Sequence, residues 1–201
     1  MSSYKSVTLG AATISHGNGK IGNTPNVSLL PVVSCPRGVP CARSGECYDQ
    51  KACRLYPTVK AARTRNWKAA SKRRAEYFAG IRQYLQRYSP KYFRWHVGGD
   101  IPDAGYYREM CRIAREFPNT KFMAFTKNHG LDFRGRPANL AIVFSMWPRW
   151  GDSKKRMPRA WMQDGTETRI PADAVECSGQ CDHCGVCWNL KPGQNVFFHK
   201  H

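Results

Sequence analysis

Apolar positions in this chain fall into short continuous runs, separated by stretches with helical spacing. Tyr92-Phe-Arg-Trp-His-Val97 reads as a strand that stops at Gly98-Gly99-Asp100. Lys121-Phe-Met-Ala-Phe-Thr126 and Leu140-Ala-Ile-Val-Phe-Ser145 read as two more, since short unbroken apolar runs suit strands buried on both faces. Asn26 to Val33 has strand composition, with Pro31 marking an edge or an early end. Between these runs the period changes. Phe78, Ile81, Leu85 and Tyr88 recur at three and four residues, on one face of a long helix predicted over 58–88. Thr58 is its N-cap, and it ends before Pro90. Tyr107, Met110, Cys111 and Ala114 share a face of a second helix, from Ala104 to Phe117. Gly10 to Pro25 reads as loop, Met146 to Glu176 shows no period, and Val196-Phe-Phe198 makes a last short strand.

Buried strands alternating with helices predict one α/β domain over 1–201, an incomplete (βα) parallel barrel or an open, mostly parallel sheet with Cys-rich loops. A chain of 201 residues is one ordinary domain, and its hydrophobic content of 41% with six Trp, nine Tyr and nine Phe excludes disorder. No secretory signal opens the chain and no run is long enough to cross a bilayer, so the expected setting is cytoplasmic, with no membrane partner.

Charge sharpens this. The formal net charge is +18, and from Lys51 to Arg94 thirteen Lys or Arg face the single acid Glu76, a net of +12. So polarised a stretch points to a polyanion, nucleic acid being the commonest. Arg63, Arg65, Lys68, Lys72, Arg73 and Arg74 are the expected contacts, on the exposed face of the long helix. Trp67, Trp147, Trp150 and Trp161 either stack on bases or pack in the core.

Cysteines carry the chemistry. Cys35, Cys41, Cys47 and Cys53 are separated by five residues each, in a loop over 34–54. Cys177, Cys181, Cys184 and Cys187 follow at spacings of three, two and two, in a loop over 177–188. Cys111 stands apart on an apolar helix face and reads as a small core residue. In a reducing compartment, with an odd total of nine, metal is a better reading than disulfides. Structural zinc prefers two separated pairs, whereas successive short spacings from one loop suit a cluster whose irons lie at the corners of a cube. One or two [4Fe-4S] clusters are the expectation, with zinc as the alternative. The first set leaves the end of a strand, where parallel α/β folds gather ligands. Gly98, Gly99 and Asp100 end the next strand and should face it: the glycines let a cofactor approach, and Asp100 accepts from an ammonium or a ribose hydroxyl.

Several of these segments together resemble the phage "gene product 88" family over nearly the whole chain. They are Asn18-Gly-Lys-Ile-Gly22, Ser28-Leu-Leu-Pro31, Ser34-Cys-Pro36, Cys47-Tyr48, Tyr56-Pro57 with Ala62-Arg63 and Asn66, and His96-Val-Gly-Gly-Asp100. Phe125-Thr-Lys127, Cys184-Gly-Val-Cys187-Trp188 and Phe198-His199 complete the set. That resemblance implies a phage or prophage protein in the host cytoplasm. The Cys-Tyr after a cysteine loop and the Gly-Asp ending the next strand are also similar to radical S-adenosylmethionine enzymes. There, three cysteines hold a [4Fe-4S] cluster and a Gly-Gly-Glu segment meets the cofactor, so the similarity implies S-adenosylmethionine as a second cofactor. Here the spacing is five and five, and Asp100 stands where Glu is usual.

Overall fold

The computed structural model describes residues 6–18, 21–147, 150, 156–163 and 170–199. The strands are β1 (Ser6–Leu9), β2 (Ala12–Asn18), β3 (Gly22–Val27), β4 (Tyr92–Trp95), β5 (Lys121–Thr126), β6 (Leu140–Ser145), β7 (Arg159–Gln163), β8 (Val175–Glu176) and β9 (Asn195–His199). They form one sheet in the order β1-β2-β3-β4-β5-β6-β7-β9-β8. β2 is antiparallel to both β1 and β3, and every pair from β3 onward is parallel. Of the two forms expected, the open sheet is the one seen.

Alternation within the apolar runs sorts two layers. Phe93 and Trp95 of β4, Phe122 and Ala124 of β5, and Leu140, Ile142 and Phe144 of β6 face one core. That core is closed by α3 (Pro57–Lys72), α4 (Arg74–Tyr88) and α5 (Ala104–Glu116). Cys111 lies buried there, as expected of a small apolar side chain. The intervening Met123, Ala141 and Val143 face the other side together with Val196 of β9, where Cys187 and Trp188 cover them. This second layer is the C-terminal cysteine segment with its short helices α6 (Cys181–Cys184) and α7 (Val186–Asn189). Trp188 Nε1 donates to the Phe93 carbonyl (3.3 Å), and Asp182 accepts from the Asn23 amide (3.1 Å).

Several expectations are corrected. Gly10 to Pro25, read as loop, carries β2 and most of β3, while the strand expected over Asn26 to Val33 ends at Val27. The meander hid because its inward positions include polar groups that find partners. The Thr13 amide donates to Asn66 Oδ1 (2.8 Å), and Asn66 Nδ2 donates to the carbonyls of Thr13 (2.9 Å) and Ser28 (3.0 Å). The long basic helix over 58–88 is two helices that break at Arg73 (φ −135°, ψ 50°). No Pro or Gly causes the break. Arg74 forks onto Asp103, the N-cap of α5 (2.9 and 2.7 Å), while α4 lies on β1 and β2. Gly80 permits that seating, since a Cβ there would lie 2.1 Å from the Leu9 carbonyl oxygen. β7, in the stretch without period, is a further strand that the pattern missed.

Candidate functional site

Parallel strands end together, and their carboxyl ends surround a cavity of about 390 Å³. Its walls include Arg94 of β4 with His96 to Asp100 beyond it, Phe125 to Lys127 at the end of β5, Ser145 to Trp147 at the end of β6, and Phe198 and His199 of β9. Cys35, Cys41 and Cys47 enter from one cysteine set, and Cys177, Cys181 and Cys187 from the other. Two sets separated by more than half the chain therefore open onto one space. Cys184 is exposed and Cys53 lies off the cavity lining.

The first set follows β3. Its loop is laced to the end of β4: the Leu29 amide donates to the Gly98 carbonyl (3.0 Å), the Gly98 amide to Ser28 Oγ (3.1 Å), and the Asp100 amide to Ser34 Oγ (3.3 Å). Two short helices then carry the cysteines, α1 (Pro40–Arg43) and α2 (Tyr48–Leu55). Cys47 is the N-cap of α2 without a side-chain cap hydrogen bond, and the donors that act on its sulfur are the Cys41 thiol first, then the Gln50 and Asp49 amides. These donors lower its thiol to about 6, as a helix N-terminus does for a thiolate. Burial raises Cys35 to about 12, with Asp100 adding to the effect. Cys53 sits one turn beyond Asp49 on α2, against Arg63 and Asp49.

Gly98 and Gly99 are on the cavity wall, and close packing explains both. A Cβ on Gly98 would meet Asp49 Oδ2 at 1.9 Å, and one on Gly99, at φ +78°, would meet Ser34 Oγ at 2.6 Å. Asp100 is buried and its carboxylate is held within the protein. It accepts from the Ile101 amide (2.7 Å), Thr126 Oγ1 (2.6 Å) and the Lys127 amide (2.8 Å). Asp49 is buried too, 2.5 Å from Arg63 Nη2, and burial pushes its carboxyl up to about 6 despite that pair.

The second set winds through α6 and α7. Burial raises the Cys187 thiol to about 12 and lifts Cys181, with the Arg94 charge partly opposing both. Arg94 faces this set, and Lys127 faces the first, where its charge lowers Cys35, Cys41 and Cys47. Lys127 Nζ donates to Ser145 Oγ (2.9 Å) and lies over Trp147, and it makes no ion pair among the described residues. Among the described residues, no group of three or more His, Cys, Asp or Glu converges on the position of one metal ion. A tetrahedral zinc ion would need its sulfurs about 2.3 Å from a single point.

A family model described as Gene product 88 matches residues 5–190. The chain belongs to the Gene product 88 family. No curated protein and no solved structure matches it. Among the described residues of this Gene product 88 member, no helix is long and apolar enough to cross a membrane.

The basic residues singled out for nucleic acid are divided by the structure. Arg63 pairs with Asp49, Arg65 Nη1 donates to Thr13 Oγ1 (3.0 Å), Arg73 pairs with Glu76 (3.0 Å), and Arg74 with Asp103. Lys68 and Lys72 are exposed one turn apart on α3 and have no ion-pair partner among the described residues. Trp67 and Trp161 pack against the core and Trp147 lines the cavity. His199 lines it as well and pairs with Glu176 (2.9 Å), while His183 is exposed and pairs with Asp182 (2.9 Å).

Sequence reasoning passed over Arg94, Lys127 and the polarity of His96 in this Gene product 88 chain. One signal was available for Arg94. A lone guanidinium inside an otherwise apolar run, on a strand read as buried, needs a charged or polar reason to be there.

Proposed function

We propose that the protein is a phage-type iron–sulfur protein whose cysteine sets hold [4Fe-4S] clusters at the rim of the shared cavity. Its proposed work is radical-S-adenosylmethionine-like redox chemistry on a nucleotide or nucleic acid. The observation that carries this reading is the convergence of Cys35, Cys41 and Cys47 with Cys177, Cys181 and Cys187 on one cavity at the carboxyl edge of a parallel sheet. Thiolate is the donor that iron–sulfur clusters use, and a cube of irons accepts sulfurs spread more widely than a single ion does. Cys53, held by Arg63, leaves three cysteines in the first set and so one iron position without a protein sulfur. A bound cluster of that kind would supply one-electron chemistry and an exchangeable coordination site. The chain's own groups prepare the place. The N-terminus of α2 favours thiolate at Cys47, and Lys127 offsets the negative charge of the first set. Asp100 fixes the Lys127 backbone through its amide. Lys68 and Lys72 are the proposed nucleic-acid contacts. The alternative is a non-catalytic iron–sulfur or zinc protein that binds nucleic acid.

Anaerobic purification followed by iron, sulfide and zinc analysis tests the reading. We expect iron and sulfide in equal amounts, loss of part of the iron in a Cys35→Ala/Cys41→Ala/Cys47→Ala variant, and wild-type iron in Cys53→Ala. The EPR signal of the reduced protein should change on adding S-adenosylmethionine. Trace iron with stoichiometric zinc would overturn the iron reading, and an EPR signal indifferent to S-adenosylmethionine would remove the enzyme.

A further inference from the structure

Arg94 and His96 stand on the cavity wall with hydrogen-bonding capacity that the protein does not use. Arg94 is 9% exposed, on the central strand β4. Its neighbours Phe93 and Trp95 point into the helix-covered core, so the guanidinium points to the opposite face, over the Phe125 ring at 5.0 Å. Nε is buried without an acceptor, and among the described residues the guanidinium makes no hydrogen bond or ion pair. A guanidinium stays charged at any physiological pH, and an unpaired buried cation is costly enough to need an anion.

His96 is 3% exposed and has φ +58°, a strained conformation of a kind that persists where function requires it. Its Nε2 lies 3.0 Å from Tyr106 Oη, which lies 3.0 Å from Tyr77 Oη. Nδ1 is buried without a partner among the described residues. The polarity of this chain follows from Tyr77, whose hydroxyl has only Tyr106 to bond among the described residues. If Tyr77 donates to Tyr106 and Tyr106 donates to Nε2, one group stays unsatisfied, the Nδ1 proton. The reverse order strands both the Tyr77 proton and Nδ1. The first order is therefore the cheaper. In it His96 is neutral and its Nδ1 proton stays buried without an acceptor among the described residues, on the helix side of β4.

We propose that Arg94, with Lys127 on the same cavity and the neutral His96 buried behind it, forms a receptor for the phosphate of a mononucleotide-sized ligand in the cavity between the two cysteine sets. Two unpaired cations, Arg94 and Lys127, on one cavity suit a dianion. Phe125, Trp147, Met146 and Met162 give the rest of the ligand flat or apolar walls. A volume of about 390 Å³ is at the small end for ligand sites and suits one nucleotide rather than a polymer. The proposal rests on the cavity being the working site of the reading above, and not on which metal the cysteines hold.

Calorimetric titration of the anaerobically purified protein with adenosine 5′-monophosphate, adenosine and inorganic phosphate tests it. The monophosphate should bind about tenfold or more tighter than adenosine, since a charge-assisted bond to a buried guanidinium carries that difference. Arg94→Met should bring the two together, with Arg94→Lys in between, and circular dichroism and metal content should match wild type. The wild-type comparison needs no variant and stands if Arg94→Met fails to fold. Equal binding of monophosphate and adenosine, or unchanged binding in folded Arg94→Met, would overturn the receptor. So would a monophosphate preference that appears only after a chelator strips the metal, because Arg94 would then face the charge of the metal centre. A single-stranded hexanucleotide that binds through Arg94 where the monophosphate does not would also overturn it. Arg94-dependent binding in protein without iron would leave the receptor standing and remove the iron reading.

Discussion

His96 shows how one residue couples backbone strain to charge. Holding a non-glycine residue at positive φ costs about 1–3 kcal/mol, offset here by burial among Trp95, Tyr106 and the end of β4. Burial, with Arg94 beside it, lowers its imidazole to about 3. The unfolded chain takes up a proton at this residue below about 6.5 and the folded chain does not. The stability contributed by the neutral ring is therefore complete above pH 6.5 and lost as pH falls toward 3. His96→Asn keeps a residue that tolerates positive φ and removes the titration. Between pH 7 and pH 4 wild type should lose up to ~3 kcal/mol more than this variant, read by urea unfolding at both pH values. Asp49, raised to about 6, titrates with the opposite sign in both proteins and drops out of the difference. Parallel losses in the two proteins would mean that the ring is not held neutral.

Asn66 does the equivalent for elements. It sits inside α3, yet its side chain completes the hydrogen bonding of β2 at Thr13 and of the loop that follows β3 at Ser28. A helix thus stands in for a missing strand at the place where the antiparallel meander meets the first cysteine loop. Asn66→Ala leaves three buried backbone groups unpaired and should cost about 2–4 kcal/mol, measured by thermal or urea unfolding. A loss below ~1 kcal/mol would show that water replaces the amide. How much of this was legible depends on which force shaped each segment. β5, β6 and α5 were read within a residue because apolar burial alone dictates them. The meander was not, because Thr13 and Asn26 are buried through long-range hydrogen bonds that leave no local period. The break at Arg73 was invisible because its cause, Asp103, lies 29 residues beyond Arg74. In the site, thiol spacing announced the cysteines, but their meeting on one cavity depends on strand order, and no spacing encodes that.

At the scale of the molecule, charge excess and functional charge are different things. Of the six basic residues singled out on α3 and at the break into α4, three are pinned by Asp49, Glu76 or Asp103 and a fourth, Arg65, by Thr13, while Arg82 joins α4 to α5 through Glu116 (2.6 Å). Of those six, what remains for an external polyanion is Lys68 and Lys72, exposed and without an ion-pair partner among the described residues. Lys68→Glu/Lys72→Glu should weaken binding to a random DNA duplex and lower the salt slope by about two, read from affinity at several salt concentrations. Arg74→Glu would confuse the result by removing the partner of the α5 cap. An unchanged slope in the lysine variant would take nucleic acid off this face. The meeting of the two cysteine sets carries a last consequence, in time rather than space. Ribosomes deliver residues 35–47 long before 177–187, and a contact that closes so large a loop forms late in folding. Until then Arg94 and the first three thiols lie open to water, along a sheet edge that has no opposite wall. Whatever this cavity holds can be enclosed only after nearly the whole chain has been made, so a truncated or stalled chain has a cysteine loop without a site.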